Sequence, residues 1–239
     1  MDRDAKADLL RGYHHSKPIL VLPNAWDVAS AKALAAVAGC RALATSSAAV
    51  ARSLGHKDRQ RAPATEMIEV AARIAAAVDL PVTADLERGY GDWVGTARAA
   101  WEAGIVGMNF EDSTDGGLVA VDEQAAAIRQ IRDAVPGLVL NARVDVFLRG
   151  VDDTDDAIER ANVYLEAGAD CTYPYTEDPA RVPTLTAAIR GPVNVVLAPT
   201  MPHPRELERL GVARVTWGAR LAGYAYAEAV RLATDALAI

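Results

Sequence analysis

The chain has 239 residues, 51% of them apolar and 24% charged, with 32 Asp and Glu against 25 Lys and Arg for a net charge of −7. That acidic balance argues against a nucleic-acid partner, which needs a clustered cationic excess, and no run approaches the ~18 apolar residues of a membrane helix. The first twenty residues are charged and hold no apolar leader core, so the expectation is a soluble, cytoplasmic, globular chain without nucleic acid or membrane among its partners.

Short β-branched runs alternate with long Ala-rich segments of helical period. The pattern predicts strands over Ile19–Leu22, Ala42–Thr45, Val82–Asp85, Gly107–Glu111, Val139–Arg143, Cys171–Pro174, Val193–Leu197 and Arg214–Trp217. Between and after them it predicts helices over Val28–Ala38, Thr65–Val78, Val94–Ala103, Asp122–Asp133, Thr154–Glu166, Pro179–Ile189, Pro204–Leu210 and Ala219–Leu237. Thr65, Asp122 and Thr154 read as helix caps. Gly39, Gly104, Gly137, Gly168, Gly191 and Gly211 read as left-handed helix ends. Strict alternation implies parallel strands with right-handed crossovers. Eight units in this length predict α/β architecture as a single (β/α)8 TIM barrel, one domain over residues 1–239. No glycine-rich dinucleotide turn follows the first strand.

Active sites of such barrels form at the C-terminal strand ends, and polar residues gather there after the second to fifth predicted strands. The third ends in Asp85-Leu86-Glu87-Arg88-Gly89-Tyr90-Gly91-Asp92, where alternation would turn Asp85 and Glu87 to one face. The fourth ends in Asn109-Phe110-Glu111-Asp112. Carboxylates so crowded raise one another's pKa or call in a cation. Asp85, Glu87 and Glu111 are therefore candidate ligands of one Mg2+, a hard ion that retains several waters. The alternative is neutralisation by Arg88, Arg143 and backbone amides. In Asn141-Ala142-Arg143-Val144-Asp145, Arg143 is either a clamp for a substrate carboxylate or a structural ion pair with Glu111 or Asp145. Thr45, Ser46 and Ser47 offer hydroxyls and backbone N–H groups to an oxyanion, or merely begin a loop. About 19 residues without clear periodicity follow, a length typical of lids and binding loops. His56 on that loop is a candidate proton carrier. Trp26 is either a pocket wall or a core aromatic. His14, His15 and His203 read as surface residues, and Cys40 and Cys171 as small buried fillers.

Five motifs in order, Leu22-Pro23-Asn24-Ala25-Trp26-Asp27, the Thr45–Ser47 turn with Ser53-Leu54-Gly55 and Asp58, and the three strand ends just described, resemble the isocitrate lyase / phosphoenolpyruvate mutase superfamily over residues 18–220. The resemblance implies a (β/α)8 barrel, a Mg2+ site, and 2-oxo-acid or enolpyruvate substrates. It implies Asp85 as direct metal ligand, with Glu87, Glu111 and Asp58 around it mostly through water, and the 45–47 turn and Arg143 on the substrate's carboxylate and oxyanion. It also implies dimers or tetramers in which the last helix, 219–237, packs on or exchanges with a neighbour. Departures bear on the reaction. Ser113–Val121 is nine residues with no Cys, Lys or His, whereas lyases of the superfamily carry a longer gating loop with a proton-donating Cys, and mutases a Lys and Asn. Tyr173-Pro174-Tyr175 stands where mutases have a His, and Arg88 replaces a small residue and would narrow the site. The expectation is a Mg2+-dependent lyase acting on a small 2-oxo carboxylate by C–C cleavage or decarboxylation, through a metal-stabilised enolate. Asp58, Arg143 and Ser46 are its candidate catalytic residues, and Thr45, Ser46, Ser47, Trp26, Asp85 and Arg143 its substrate contacts. Phosphoenolpyruvate mutase or phosphonopyruvate hydrolase activity, and a non-catalytic 2-oxo acid binding barrel, are the alternatives.

Overall fold

The computed structural model describes residues 1–59 and 61–238. Helix α1 spans Arg3–Tyr13, followed by strands β1 (Leu20–Leu22) and β2 (Asn24–Ala25), helix α2 (Val28–Ala35) and strand β3 (Leu43–Thr45). Helices α3 (Ser47–Ser53) and α4 (Ala64–Ala76) precede β4 (Val82–Asp85), α5 (Trp93–Glu102) and β5 (Gly107–Glu111). A small hairpin, β6 (Ser113–Thr114) with β7 (Gly117–Leu118), leads into α6 (Val121–Ala134), β8 (Val139–Val144), α7 (Thr154–Glu166) and β9 (Cys171–Pro174). The chain ends with α8 (Val182–Ala188), β10 (Asn194–Val196), α9 (Pro204–Arg209), β11 (Arg214–Thr216) and α10 (Arg220–Leu237).

Parallel pairing runs β2-β3-β4-β5-β8-β9 and β1-β11-β10. Two junctions close this into a ring. Pro23, one residue past the first predicted strand, has no N–H to give a ladder and separates two short strands: β1 pairs with β11, β2 pairs with β3, and the Pro23 carbonyl accepts from Ala44 N. On the other side a bridge between Thr172 and Val193 joins β9 to β10. The eight-unit barrel anticipated from the alternation is thus present, and apart from β2, which lies past the predicted end of the first strand, its strands fall within two residues of their predicted bounds. Among the described residues, no helix is long and apolar enough to cross a membrane.

Helix α1, absent from the predicted set, stoppers the N-terminal end of the barrel. Ala7 and Leu10 pack with Leu20, Leu22, Ala42, Ala44, Val106 and Val139; burying one such leucine is worth ~1.5–3 kcal/mol. Position 107 must be glycine there, since a Cβ would lie 2.8 Å from Leu10 Cδ2 and 2.7 Å from Thr83 Oγ1.

Several local expectations are corrected. The first helical residues follow Pro63, Ala120 and Asp153 rather than starting from caps at Thr65, Asp122 and Thr154; of the three true caps Asp153 accepts from Asp156 N. Gly39, Gly104, Gly168 and Gly211 have positive φ as expected, but Gly137 and Gly191 do not. Those two are glycine for space: a Cβ would lie 2.6 Å from the Trp101 ring or 2.9 Å from Leu165 Cδ1. The long loop after the second predicted strand begins with α3, and its position 60 lies outside the described residues. His14 is buried, not a surface residue, and its ring lies near Arg214 and Arg11 behind α1. Cys171 is buried and Cys40 half-buried, both free; burial pushes the Cys171 thiol up to about 12.

Candidate active site

At the C-terminal mouth of the ring lies a cavity of about 920 Å3. It is lined by the predicted Thr45, Ser46, Ser47, Asp58, Asp85, Glu87, Glu111 and Arg143. Eight residues named from the sequence for this site therefore meet in one place. Trp26 does not line it; it packs at the core edge with its ring centroid 6.1 Å from that of Tyr226 on α10. His56 does not line it either, because Nε2 pairs with Glu66 Oε2 at 2.9 Å.

Asp85 ends β4 and is 8% exposed. Its Oδ2 accepts from Ser47 N at 3.0 Å and Ser47 Oγ at 2.8 Å, and its own N–H donates to Thr45 Oγ1 at 3.0 Å. Ser47 therefore holds the carboxylate rather than presenting a free N–H to an oxyanion, which corrects its expected role. Asp85 Oδ1 is buried with no hydrogen-bond partner among the described residues. A carboxylate oxygen kept dry and unpaired is costly, so this one suits an external cation.

Glu87 reaches the same cavity by a different route from the expected strand alternation. The strand ends at Asp85, and Glu87 and Tyr90 take left-handed φ of 51° and 52° in a tight turn with Gly89. For residues with a side chain that backbone costs roughly 1–2 kcal/mol each, the kind of strain that collects at functional sites. The turn sends Arg88 away from the cavity. Its guanidinium pairs with Glu123 at 2.6 Å, donates to Gln124 Oε1, and lies 5.6 Å from the Trp93 ring centroid and 5.7 Å from that of Phe110. Arg88 thus neither neutralises the acids nor narrows the site; it ties the turn to α6.

Glu111 and Arg143 sit opposite each other in register on β5 and β8 and form an ion pair. Arg143 also gives Nε to Asp145 Oδ1 at 2.7 Å and Nη2 to Asp145 Oδ2 at 3.0 Å. Of the two readings left open for Arg143, the structural pair is present in this arrangement. Burial nonetheless pushes the Glu111 carboxyl well above its usual range despite Arg143, and the charges of Asp145, Asp85 and Glu87 act in the same sense. Arg143 is held further into its charged form by Glu111 and Asp145, which outweigh burial. Asp145, named from the sequence only as a possible ion-pair partner of Arg143, also accepts from Ser113 Oγ at 2.5 Å, and its N–H donates to Asp112 Oδ1 at 2.8 Å. Asp112 in turn takes Tyr164 Oη at 2.8 Å and Arg160 Nη1 at 3.2 Å, so α7 buttresses the acid cluster from behind.

The donor set fits a divalent cation in a particular way. Among the described residues, no three His, Cys, Asp or Glu side chains close into a ready-made metal cage. An ion bound chiefly through one carboxylate with retained waters, the usual habit of Mg2+, needs no such cage. Asp85 Oδ1 is the free inner oxygen, and Glu87 and Glu111 line the surrounding wall. The mouth is framed by further residues, of which the motifs singled out only Tyr173 and Tyr175. Arg52 comes from α3, Arg59 and Arg61 from the loop after it, Arg149 from the segment after β8, and Tyr173, Tyr175 and Arg220 from the far side. Arg61 approaches Asp115 at the tip of the β6–β7 hairpin, 3.6 Å away. No spacing rule marks the arginines, because they converge only when the ring closes.

The closed parallel barrel with an acid-lined C-terminal mouth is in keeping with the comparisons, which place the chain in the phosphoenolpyruvate mutase / isocitrate lyase superfamily. The phosphoenolpyruvate phosphomutase family model matches residues 10–237, and the chain belongs to that family. It is 40% identical over 228 residues to an uncharacterized protein of Mycobacterium tuberculosis, covering 93% of this chain and 87% of that one. With 2-methylisocitrate lyase of Halalkalibacterium halodurans it shares 35% identity over 180 residues, 70% of this chain and 59% of the lyase. A solved structure from Burkholderia cenocepacia J2315 superposes with a TM-score of 0.91 at 37% identity, covering 97% of this chain and 99% of that one. Phosphonopyruvate hydrolase, solved with oxalate and Mg2+, shares the fold at a TM-score of 0.84 and 24% identity, over 99% of this chain and 88% of that one. The chain is an enzyme of the isocitrate lyase / phosphoenolpyruvate mutase type.

Proposed function

We propose that this protein is a Mg2+-dependent lyase that breaks a C–C bond of a small 2-oxo carboxylate, by retro-aldol cleavage or decarboxylation. The observation that carries the reading is the buried, unpartnered Oδ1 of Asp85 beside Glu87 and Glu111, with Oδ2 pinned by Ser47. A divalent cation held there supplies a Lewis acid for the keto and carboxylate oxygens of such a substrate.

The chain's own residues do the rest. Ser47 and Thr45 hold Asp85 in one orientation, so little reorganisation is needed when the ligand arrives. Arg143, anchored by Asp145, keeps a fixed positive charge at the cavity wall for the substrate's anionic end. Neither cysteine lines the cavity, and the short β6–β7 hairpin brings no acid of its own except Asp115. Tyr173 and Tyr175 do line it, and burial raises both phenols, so each stays protonated near neutral pH and can give a hydrogen bond. Tyr90, raised further by burial and by the charges of Glu87 and Asp85, lies outside the lining.

Turnover measured on oxaloacetate, 2-oxo-4-hydroxy acids and phosphonopyruvate, with Mg2+ added or chelated, tests the proposal. Cleavage of one of the first two that stops in chelator and in Asp85→Ala is the expected result. Turnover of phosphonopyruvate alone would replace it with C–P chemistry. Binding of 2-oxo acids without turnover would leave a binding barrel.

A further inference from the structure

Inside the ring, beneath the carboxylates, lies a buried charge with no ion pair at contact distance among the described residues, Asp85 acting on it only through space. Arg214 opens β11, is 0% exposed, and has no carboxylate among its described contacts. Its Nε and Nη1 make no hydrogen bond, and its single described bond is from Nη2 to Asn109 Oδ1 at 3.3 Å. Burial lowers the guanidinium from its ordinary value, though an arginine so placed still keeps its proton. Asn109 Oδ1 accepts a second bond, from Asn141 Nδ2 at 2.8 Å.

These two bonds fix which way the Asn109 amide faces. A guanidinium has donors only, so the atom turned to Arg214 is the oxygen. The amide nitrogen is then the end left for the cavity, which Asn109 lines at 8% exposure, next to Asp85 in the β4–β5 register. Asp85, Glu87 and Glu111 stand around it, and an ionised carboxylate only accepts. An N–H donor set among them, and held by an arginine from below, is suited to an anionic oxygen that the acids would repel.

We propose that Asn109 is a substrate-binding residue, its Nδ2 donating to a carboxylate or enolate oxygen of the ligand, and that Arg214 is its positioning residue. This rests on the 2-oxo acid reading above. Asn141 and Arg214 turn the amide oxygen inward, so the donor is in place before the ligand binds, which lowers the cost of binding.

The test uses oxalate with Mg2+ as the probe, followed by calorimetry, alongside thermal melting of the same proteins. Asn109→Ala removes both the donor and the acceptor of Arg214. It should melt lower and bind oxalate about 10–100-fold more weakly, the range for a hydrogen bond to a charged group. Asn109→Asp keeps an acceptor for both Arg214 and Asn141 but loses the donor. It should melt no lower than wild type and still bind oxalate at least about tenfold more weakly. Mg2+ affinity without oxalate should not fall in either variant. Oxalate affinity that recovers together with the melting temperature in the aspartate variant, despite the added negative charge, overturns the inference. Undiminished oxalate binding by Asn109→Ala overturns it as well. Wild-type protein that fails to bind oxalate with Mg2+ overturns the 2-oxo acid reading, and this inference with it.

Discussion

Replacing His14 should flatten the acid limb of the stability curve. The ring is 4% exposed, neither nitrogen has a hydrogen-bond partner among the described residues, and Arg214, His15 and Arg11 add to the cost of protonating it. Burial and these charges lower its pKa from 6.5 to about 3. The unfolded chain therefore takes up a proton that the folded chain refuses. The stabilisation this gives is full above pH 6.5 and is lost as pH falls toward 3, following proton linkage. At pH 4.5 the unfolded histidine is two units below its midpoint, so the loss at that pH is about 2.7 kcal/mol at ~1.36 kcal/mol per unit. Urea unfolding of wild type and His14→Leu at pH 7 and pH 4.5 isolates this group from the buried carboxylates common to both. The drop between the two pH values should be smaller in His14→Leu by about 2–3 kcal/mol. Equal drops in the two proteins would refute the placement of a neutral histidine behind α1.

Three further outcomes follow from the site and the surface. A double-mutant cycle with Arg143→Gln and Asp145→Asn should give a coupling energy of about 1–3 kcal/mol in thermal or urea unfolding, and a value near zero would deny that Asp145 anchors the arginine. His56→Gln should leave kcat/KM within about twofold because the ring faces Glu66, while Asp58→Asn, altering a carboxylate that lines the cavity, should lose about 10–100-fold; a silent Asp58→Asn contradicts its assigned place around the ion. Helix α10 buries only Ala222 among its described residues and exposes Tyr224, Val230, Leu232 and Leu237 at 56%, 65%, 56% and 76%. We propose that this face packs on a second copy as a homodimer or homotetramer, so light scattering should give at least twice the 25.3 kDa of one chain, and the single-chain mass would refute it.

The sequence by itself determined the ring. Alternating β-branched runs and Ala-rich amphipathic segments report the burial each element needs, and that burial repeats locally enough to be read without coordinates. The acid cluster was legible for a related reason: residues at the ends of parallel strands share one rim of a barrel, so Asp85, Glu111 and Arg143 could be placed together from strand ends alone. Only the tertiary structure decided what each of these does. Whether Ser47 faces an oxyanion or Asp85 depends on how α3 meets β4, and whether Arg88 enters the cavity depends on the left-handed turn at Glu87. His14 looks like a surface residue in a linear reading because polarity predicts exposure, and nothing local marks the Arg214 side chain as buried. They are buried because ring closure and the stopper helix bring distant segments over them, and contacts between segments nearly two hundred residues apart leave no local pattern.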